Sequence, residues 1–168
     1  MSELFDDDRI TAFGLFAEAF AGLSNRFSAQ FAEHGLSSVE FEVLIRLARS
    51  ANHQLRMTDL AAQTSLSTSG VTRVVDRMER DGLVCRRACP TDRRSSYTVV
   101  TAAGMARLTE TLPGHLTLIE TWFTGQLPPA ELAALLSGLR TVRDAVAPEA
   151  TSGATGDAEP VGAVVPGR

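Results

Sequence analysis

TSLSTSGVTRVVDRMERDGL, residues 64–83, carries two interleaved patterns. Val71, Val74, Val75 and Met78 recur at three and four residues, the spacing at which a helix buries one stripe against a core. Ser69, Thr72, Arg73, Asp76, Arg77 and Arg80 recur in the same way on the opposite face, with short hydroxyls at its start and long guanidiniums further along. Ser67 can cap this helix, which is expected to reach about Arg80 and stop at Asp81-Gly82.

Immediately upstream, Thr58 can cap a short helix, DLAAQT, in which Leu60 packs inward while Ala61 and Ala62 let another helix approach closely. Two short helices joined by a three- or four-residue turn form a helix-turn-helix. Downstream, LVCRRAC, PTDRR and SSYTVVT read as strand, turn and strand, with Pro and Asp marking the turn. Helix-turn-helix plus hairpin is the winged-helix arrangement. The expected fold is therefore mainly α with a small β-hairpin.

The flanks are helical. Ile10, Phe13, Phe16, Ala17, Phe20, Leu23, Phe27 and Phe31 form one apolar stripe, and Ser37-x-x-Glu40 is a capping-box pattern ahead of Val39, Val43, Leu44 and Leu47. Thr101 caps a long helix with Met105, Leu108, Leu112, Leu116, Ile119, Trp122 and Phe123 on its stripe, in which Pro113-Gly114 predicts a kink or break. Pro128-Pro129 suits the start of a last helix carrying Leu132, Leu135, Leu136, Leu139, Val142 and Val146. The resulting layout is an N-terminal dimerisation helix (1–35), a winged helix-turn-helix (36–101), C-terminal dimerisation helices (102–147) and a Gly/Pro-rich, disordered tail (148–168). The compact centre is too small to cover three long apolar stripes. A second copy of the same helices is the economical partner, because a two-fold interface lets a self-complementary patch close on itself.

Composition narrows the function. The 168 residues are 44% hydrophobic, enough for a real core, and no segment reaches the ~20 apolar residues that span a bilayer. The acidic start MSELFDDDR lacks a secretory pattern, so a cytoplasmic location without membrane contact is expected. Net charge is −4, yet residues 56–94 hold eight arginines against five acids, +3, while the remainder holds eight against fifteen, −7. A polyanion is welcome only at the centre. In a helix-turn-helix the second helix enters the major groove of double-stranded DNA. Small Ser69 and Thr72 let the backbone approach, and Arg73 is long enough to reach guanine O6 and N7. Arg77 and Arg80 lie further along, toward phosphates or acidic neighbours, and Arg86 and Arg87 read as phosphate neighbours or solvated strand residues. Arg93 and Arg94 sit at the turn tip, where an arginine can insert into a narrow minor groove, with Asp92 placed to hold a guanidinium.

The segment MTDLAAQTSLSTSGVTRVVDRMERDGLVCRRACPTDRRSSYTVVTAAG resembles the winged-helix core of the multiple antibiotic resistance regulator (MarR) family. Leu60-Ala61, the Ser-Gly-Val-Thr-Arg run, Gly82-Leu83-Val84, Asp92-x-Arg94 and Thr101-x-x-Gly104 stand in register, and the likeness covers residues ~36 to ~110. It implies a homodimeric transcription factor on palindromic operators, usually a repressor relieved by a small anionic or phenolic ligand or an oxidant. By position it implies that Ser69, Thr72 and Arg73 read bases, Arg94 enters the minor groove and Asp92 pins an arginine. Together with the cap Ser67 and with Arg77 and Arg93, these are the expected DNA-binding residues. An effector pocket is expected between the dimer helices and the reading head, with Arg26, His115 and Trp122 as its candidates.

Other chemistries find little support. Cys85 and Cys89, four apart on one strand, sit ~13 Å from each other, beyond disulfide reach. The oxidation-sensing branch of the family uses a cysteine near the first helix, which this chain lacks. His34, His53 and His115 form no zinc-type pair, and no Gly-rich phosphate loop or nucleophile elbow appears, so neither metal, cofactor nor enzymatic activity is expected. The rival reading is a winged-helix protein-interaction module without DNA binding.

Overall fold

The computed structural model describes residues 5–64, 66–88 and 96–150. Six helices and three short strands follow in the order α1 (Asp8–Glu33), α2 (Ser38–Arg49), β1 (Gln54–Arg56), α3 (Met57–Gln63), α4 (Thr68–Arg80), β2 (Val84–Ala88), β3 (Ser96–Val100), α5 (Ala102–Trp122) and α6 (Pro129–Val146). Short 3-10 turns at Ala51–His53 and Thr124–Gln126 complete the path.

Local chemistry sets most boundaries. The Asp7 side chain accepts from the Arg9 amide at the start of α1. Ser37 and Glu40 close a full capping box on α2, as their spacing predicts. The Ser67 and Thr101 hydroxyls accept from the Gly70 and Gly104 amides, so both expected caps are in place. α1 and α4 end alike: Gly35 (φ +68°) and Gly82 (φ +72°) adopt left-handed backbone, and the following residues Leu36 and Leu83 donate back to Phe31 and Met78.

Two expectations need correction. Thr58 does not cap α3. β1 runs directly into that helix, so Arg56 stands at the cap position, where its side chain makes no capping hydrogen bond, and Thr58 lies within the helix with its hydroxyl on Asp59. Of the kink or break expected at Pro113, the break does not occur: α5 continues to Trp122. Packing of this helix against α1 holds it: Leu108 and Thr111 are buried, and Gln30 of α1 donates to the Thr111 carbonyl two residues before the proline (3.0 Å). Tertiary contacts of this kind override the local preference of a proline.

The hairpin is joined by the three-residue β1, giving an antiparallel sheet in the order β1-β3-β2 with Leu55 and Arg86 flanking Thr98. Thr98 is fully buried, and its hydroxyl rests on the Met57 sulfur (3.0 Å). The core lies beneath the helix-turn-helix, where Val43, Leu44, Leu47, Leu60, Val71, Val75 and Met78 have no exposed surface. Phe31 stacks on Phe41 and ties α1 to it, at a ring separation of 4.0 Å. By contrast α6 buries none of its residues, and the first half of α1 leaves Phe13, Phe16 and Phe20 exposed.

Gly104 is where α5 meets the end of the reading head. A Cβ there stands 2.1 Å from the Leu83 carbonyl oxygen and 2.9 Å from Val100. Gly104→Ala is therefore expected to cost about 1–3 kcal/mol through backbone displacement. Circular-dichroism melting should show a fall of about 3–10 °C, and an unchanged melting temperature would contradict this packing.

Candidate nucleic-acid interface

α3, the turn before Ser67 and α4 form the helix-turn-helix, closed by a Leu66 to Ala61 backbone bond (3.2 Å). The Ser67 hydroxyl receives the Gly70 amide (3.0 Å) and lies 3.2 Å from the Ser69 hydroxyl. Thr72 donates to the Thr68 carbonyl (2.8 Å), which keeps its side chain against the helix. Val71, Val75 and Met78 anchor one face, so Ser69, Thr72 and Arg73 are turned outward and exposed. Among the described residues none forms a hydrogen bond or ion pair with the Arg73 guanidinium, which leaves it free to reach a ligand. Small polar groups followed by an unclaimed cation form a surface that can approach a polyanion closely.

The remaining charges of this helix are braced. Arg77 donates through Nε to the Glu40 carboxylate of α2 (2.6 Å). Arg86 of β2 bonds Asp76 (2.6 Å) and Glu79 (2.7 Å), and its amide also reaches Glu79 (2.9 Å). Arg86 is thus neither solvated nor unclaimed, because it neutralises two carboxylates on the helix it faces. Arg80 donates to the Asp76 carbonyl (3.3 Å), and Arg87 is exposed on the strand. Burial pushes the Glu40 carboxyl up, but hydrogen bonds from Ser37 and the Arg77 guanidinium outweigh it and hold it below the ordinary carboxylate range. Burial likewise lowers Arg86, and its two acidic partners more than reverse the effect. Sequence spacing identified Glu40 only as a capping residue. Its partner lies 37 positions away, and no local signal links them.

Asp92, Arg93 and Arg94, together with Cys89, lie outside the described residues. Cys85 is exposed on β2.

The three effector candidates separate into two places. The Arg26 guanidinium lies 3.8 Å over the Trp122 ring, and both line a cleft of about 360 Å³ with Gly22, Leu23, Phe123 and Leu135. His115 does not join them. Its ring packs among Phe27, Phe31 and Phe41 at 4.7–4.9 Å, between α1, α2 and α5, with Nδ1 buried and unpartnered. Burial pushes its pKa below the ordinary histidine value. The unfolded chain therefore takes up this proton first, so stability falls as pH drops below about 6.5 and stops falling once the folded ring also titrates. His115→Phe should flatten the decline of melting temperature between about pH 7 and pH 5. An identical slope in the two proteins would remove His115 as its source.

Among the described residues no group of three or more His, Cys, Asp or Glu is arranged to hold a metal ion, and no helix is long and apolar enough to cross a membrane.

Comparison with known proteins places this arrangement. The family model described as MarR family matches residues 34–95. The HTH-type transcriptional repressor YetL of Bacillus subtilis (strain 168) is 37% identical over 89 residues, 53% of this chain and 53% of YetL, so the chain spans about half the length of that relative. YkoM, an HTH-type transcriptional regulator of the same organism, is 32% identical over 114 residues, 68% of this chain and 73% of YkoM. The crystal structure of Sco3205, a MarR family transcriptional regulator from Streptomyces coelicolor, in complex with DNA, superposes with a TM-score of 0.77 at 28% identity, covering 81% of this chain and 86% of that one.

Proposed function

The chain belongs to the MarR family of transcriptional regulators, and from that membership we propose that it is a cytoplasmic, homodimeric repressor that reads a palindromic operator and responds to a small-molecule effector. The observation that carries the DNA reading is the outward face of α4, where exposed Ser69 and Thr72 flank the unclaimed Arg73 on a helix locked from behind by Val71, Val75 and Met78. Sco3205, similar in fold, was solved on DNA, which supports the same use of this face. Ser67 sets where the helix begins, and Arg77 contributes to the backbone contact. Arg93 and Arg94, with Asp92 beside them, are assigned to the minor groove on sequence grounds.

The dimer reading rests on the exposed phenylalanines of α1 and the unburied apolar residues of α6. For the effector, the Arg26–Trp122 cleft supplies a cation stacked on an indole in a lining that is otherwise apolar except for Glu18 and Gln126, which suits a small aromatic ligand with an anionic group on the Arg26 side. His115, enclosed by phenylalanines, is reassigned from ligand contact to packing at the junction of α1, α2 and α5.

Affinity for duplex DNA, measured by fluorescence anisotropy from about 50 to 200 mM salt, tests the reading. Six or more phosphate contacts predict a loss of about 1,000-fold across that range. A protein-interaction module without DNA binding predicts no measurable affinity at either end.

A further inference from the structure

We propose that Glu40 is a positioning residue for DNA binding: from the first turn of α2 its buried carboxylate holds the Nε edge of Arg77 and turns the rest of that guanidinium toward a backbone phosphate. The inference rests on the DNA-binding reading above.

Arg77 lies one helical turn beyond Arg73 and two beyond Ser69, on the face assigned to the groove. Its side chain is 48% exposed, while that of Glu40 is 9% exposed, so the pair runs from the interior to the surface. The carboxylate is divided between two tasks. Oε2 accepts the Ser37 amide (2.8 Å) and hydroxyl (2.7 Å), and Oε1 accepts Arg77 Nε (2.6 Å). The first turn of α2 is itself fixed to α1, because the Ser38 and Ser28 hydroxyls are hydrogen-bonded (2.8 Å). Glu40 thus cannot follow Arg77 if the arginine moves; the arginine must adopt the geometry that Glu40 sets.

A guanidinium has five N–H donors, of which Glu40 takes the one on Nε. Among the described residues no other forms a hydrogen bond or ion pair with the Arg77 guanidinium. The paired Nη edge is the one that matches two phosphate oxygens. Holding Nε in advance removes rotamer freedom that a free arginine loses only on binding. The competing account is that a carboxylate so close to the groove repels DNA and withholds Arg77 from it. The two accounts predict opposite signs when the charge of Glu40 is removed.

The test uses two labelled duplexes: one selected by the wild-type protein from a random-sequence pool, and one scrambled. Wild type, Glu40→Gln, Arg77→Gln and the double variant are titrated by fluorescence anisotropy at several salt concentrations. Each single substitution is expected to weaken both duplexes by about five- to tenfold near 0.15 M salt, and to flatten the slope of log affinity against log salt by up to about 0.9, the value for one phosphate. In the double variant the Glu40 change should add less than about twofold. Arg77→Lys retains the charge without the fork, is independent of any folding defect at Glu40, and should keep the wild-type salt slope while recovering only part of the affinity lost in Arg77→Gln. Tighter binding by Glu40→Gln, losses that multiply in the double variant, or wild-type affinity in Arg77→Lys each overturn the proposal. Wild type that selects and binds no duplex overturns the DNA-binding reading as well, which separates the two failures.

Discussion

Phe20→Asp is expected to yield a folded monomer whose affinity for an operator duplex is lower by about 100- to 10,000-fold. Phe13, Phe16 and Phe20 are 71%, 52% and 64% exposed on one stripe of α1, which Ile10 extends toward the start of the helix; Val142 and Val146 are exposed on α6. Isolated exposed apolar residues are ordinary, but a contiguous run of this size marks an interaction surface. Phe20 lies outside the core beneath the helix-turn-helix and touches within its own chain the Phe16 ring (6.4 Å between centroids), so an aspartate there leaves the core intact. In a two-fold dimer the same substitution places two carboxylates in an apolar seam, at a cost of several kcal/mol per buried ion. Loss of the proposed dimer would separate two recognition helices placed to meet successive major grooves about 34 Å apart. Each head then binds its half-site alone and loses the effective concentration supplied by the other. Light scattering reports the oligomeric state, circular dichroism the fold, and anisotropy the affinity. A dimeric variant would remove this face from the interface, and a monomeric one with full affinity would show that a single head suffices.

How much of this was legible in the sequence depends on how local each signal is. The caps Ser37, Ser67 and Thr101 act within three residues of themselves, and the Gly82 stop within five, so each was visible as a pattern and stands in the structure. The two faces of α4 follow from helical periodicity alone. β1 was missed because three residues, Gln54–Arg56, are too few to show strand alternation and are defined only by pairing with Val99, Thr98 and Tyr97. The same strand displaced the start of α3 and made the Thr58 cap wrong. α5 does not break at Pro113 because the helix is held by packing against α1, which no local rule includes. At the interface, the hydroxyls and Arg73 could be read from spacing, but the engagement of Arg77 by Glu40 and of Arg86 by Asp76 and Glu79 could not. These pairs depend on which elements the fold brings together. The approach of Arg26 to Trp122 and the aromatic surroundings of His115 both depend on how α1 and α5 pack, which spacing along the chain does not show.

Arg73→Ala is expected to weaken binding to the selected operator by about 5- to 150-fold, corresponding to the 1–3 kcal/mol that one bidentate base contact contributes to discrimination. Binding to scrambled DNA should fall much less. Arg73 is exposed, adjoins Thr72 and lies one turn beyond Ser69, so the residues around it are short enough for the backbone to approach the base edges. Arg73→Lys keeps the charge but loses the planar fork, and should recover affinity for scrambled DNA without recovering discrimination. Arg77 supplies the internal control. Arg73→Ala and Arg77→Gln each remove one positive charge from the same face, so the general loss of attraction to phosphate is similar for both. What differs is the assignment: Arg77 is held at the backbone by Glu40, and Arg73 is free to reach the bases. The ratio of operator to scrambled affinity should therefore collapse in the first variant and persist in the second. If the ratio falls equally in both, or in neither, the division of labour along α4 is wrong even if the protein binds DNA tightly.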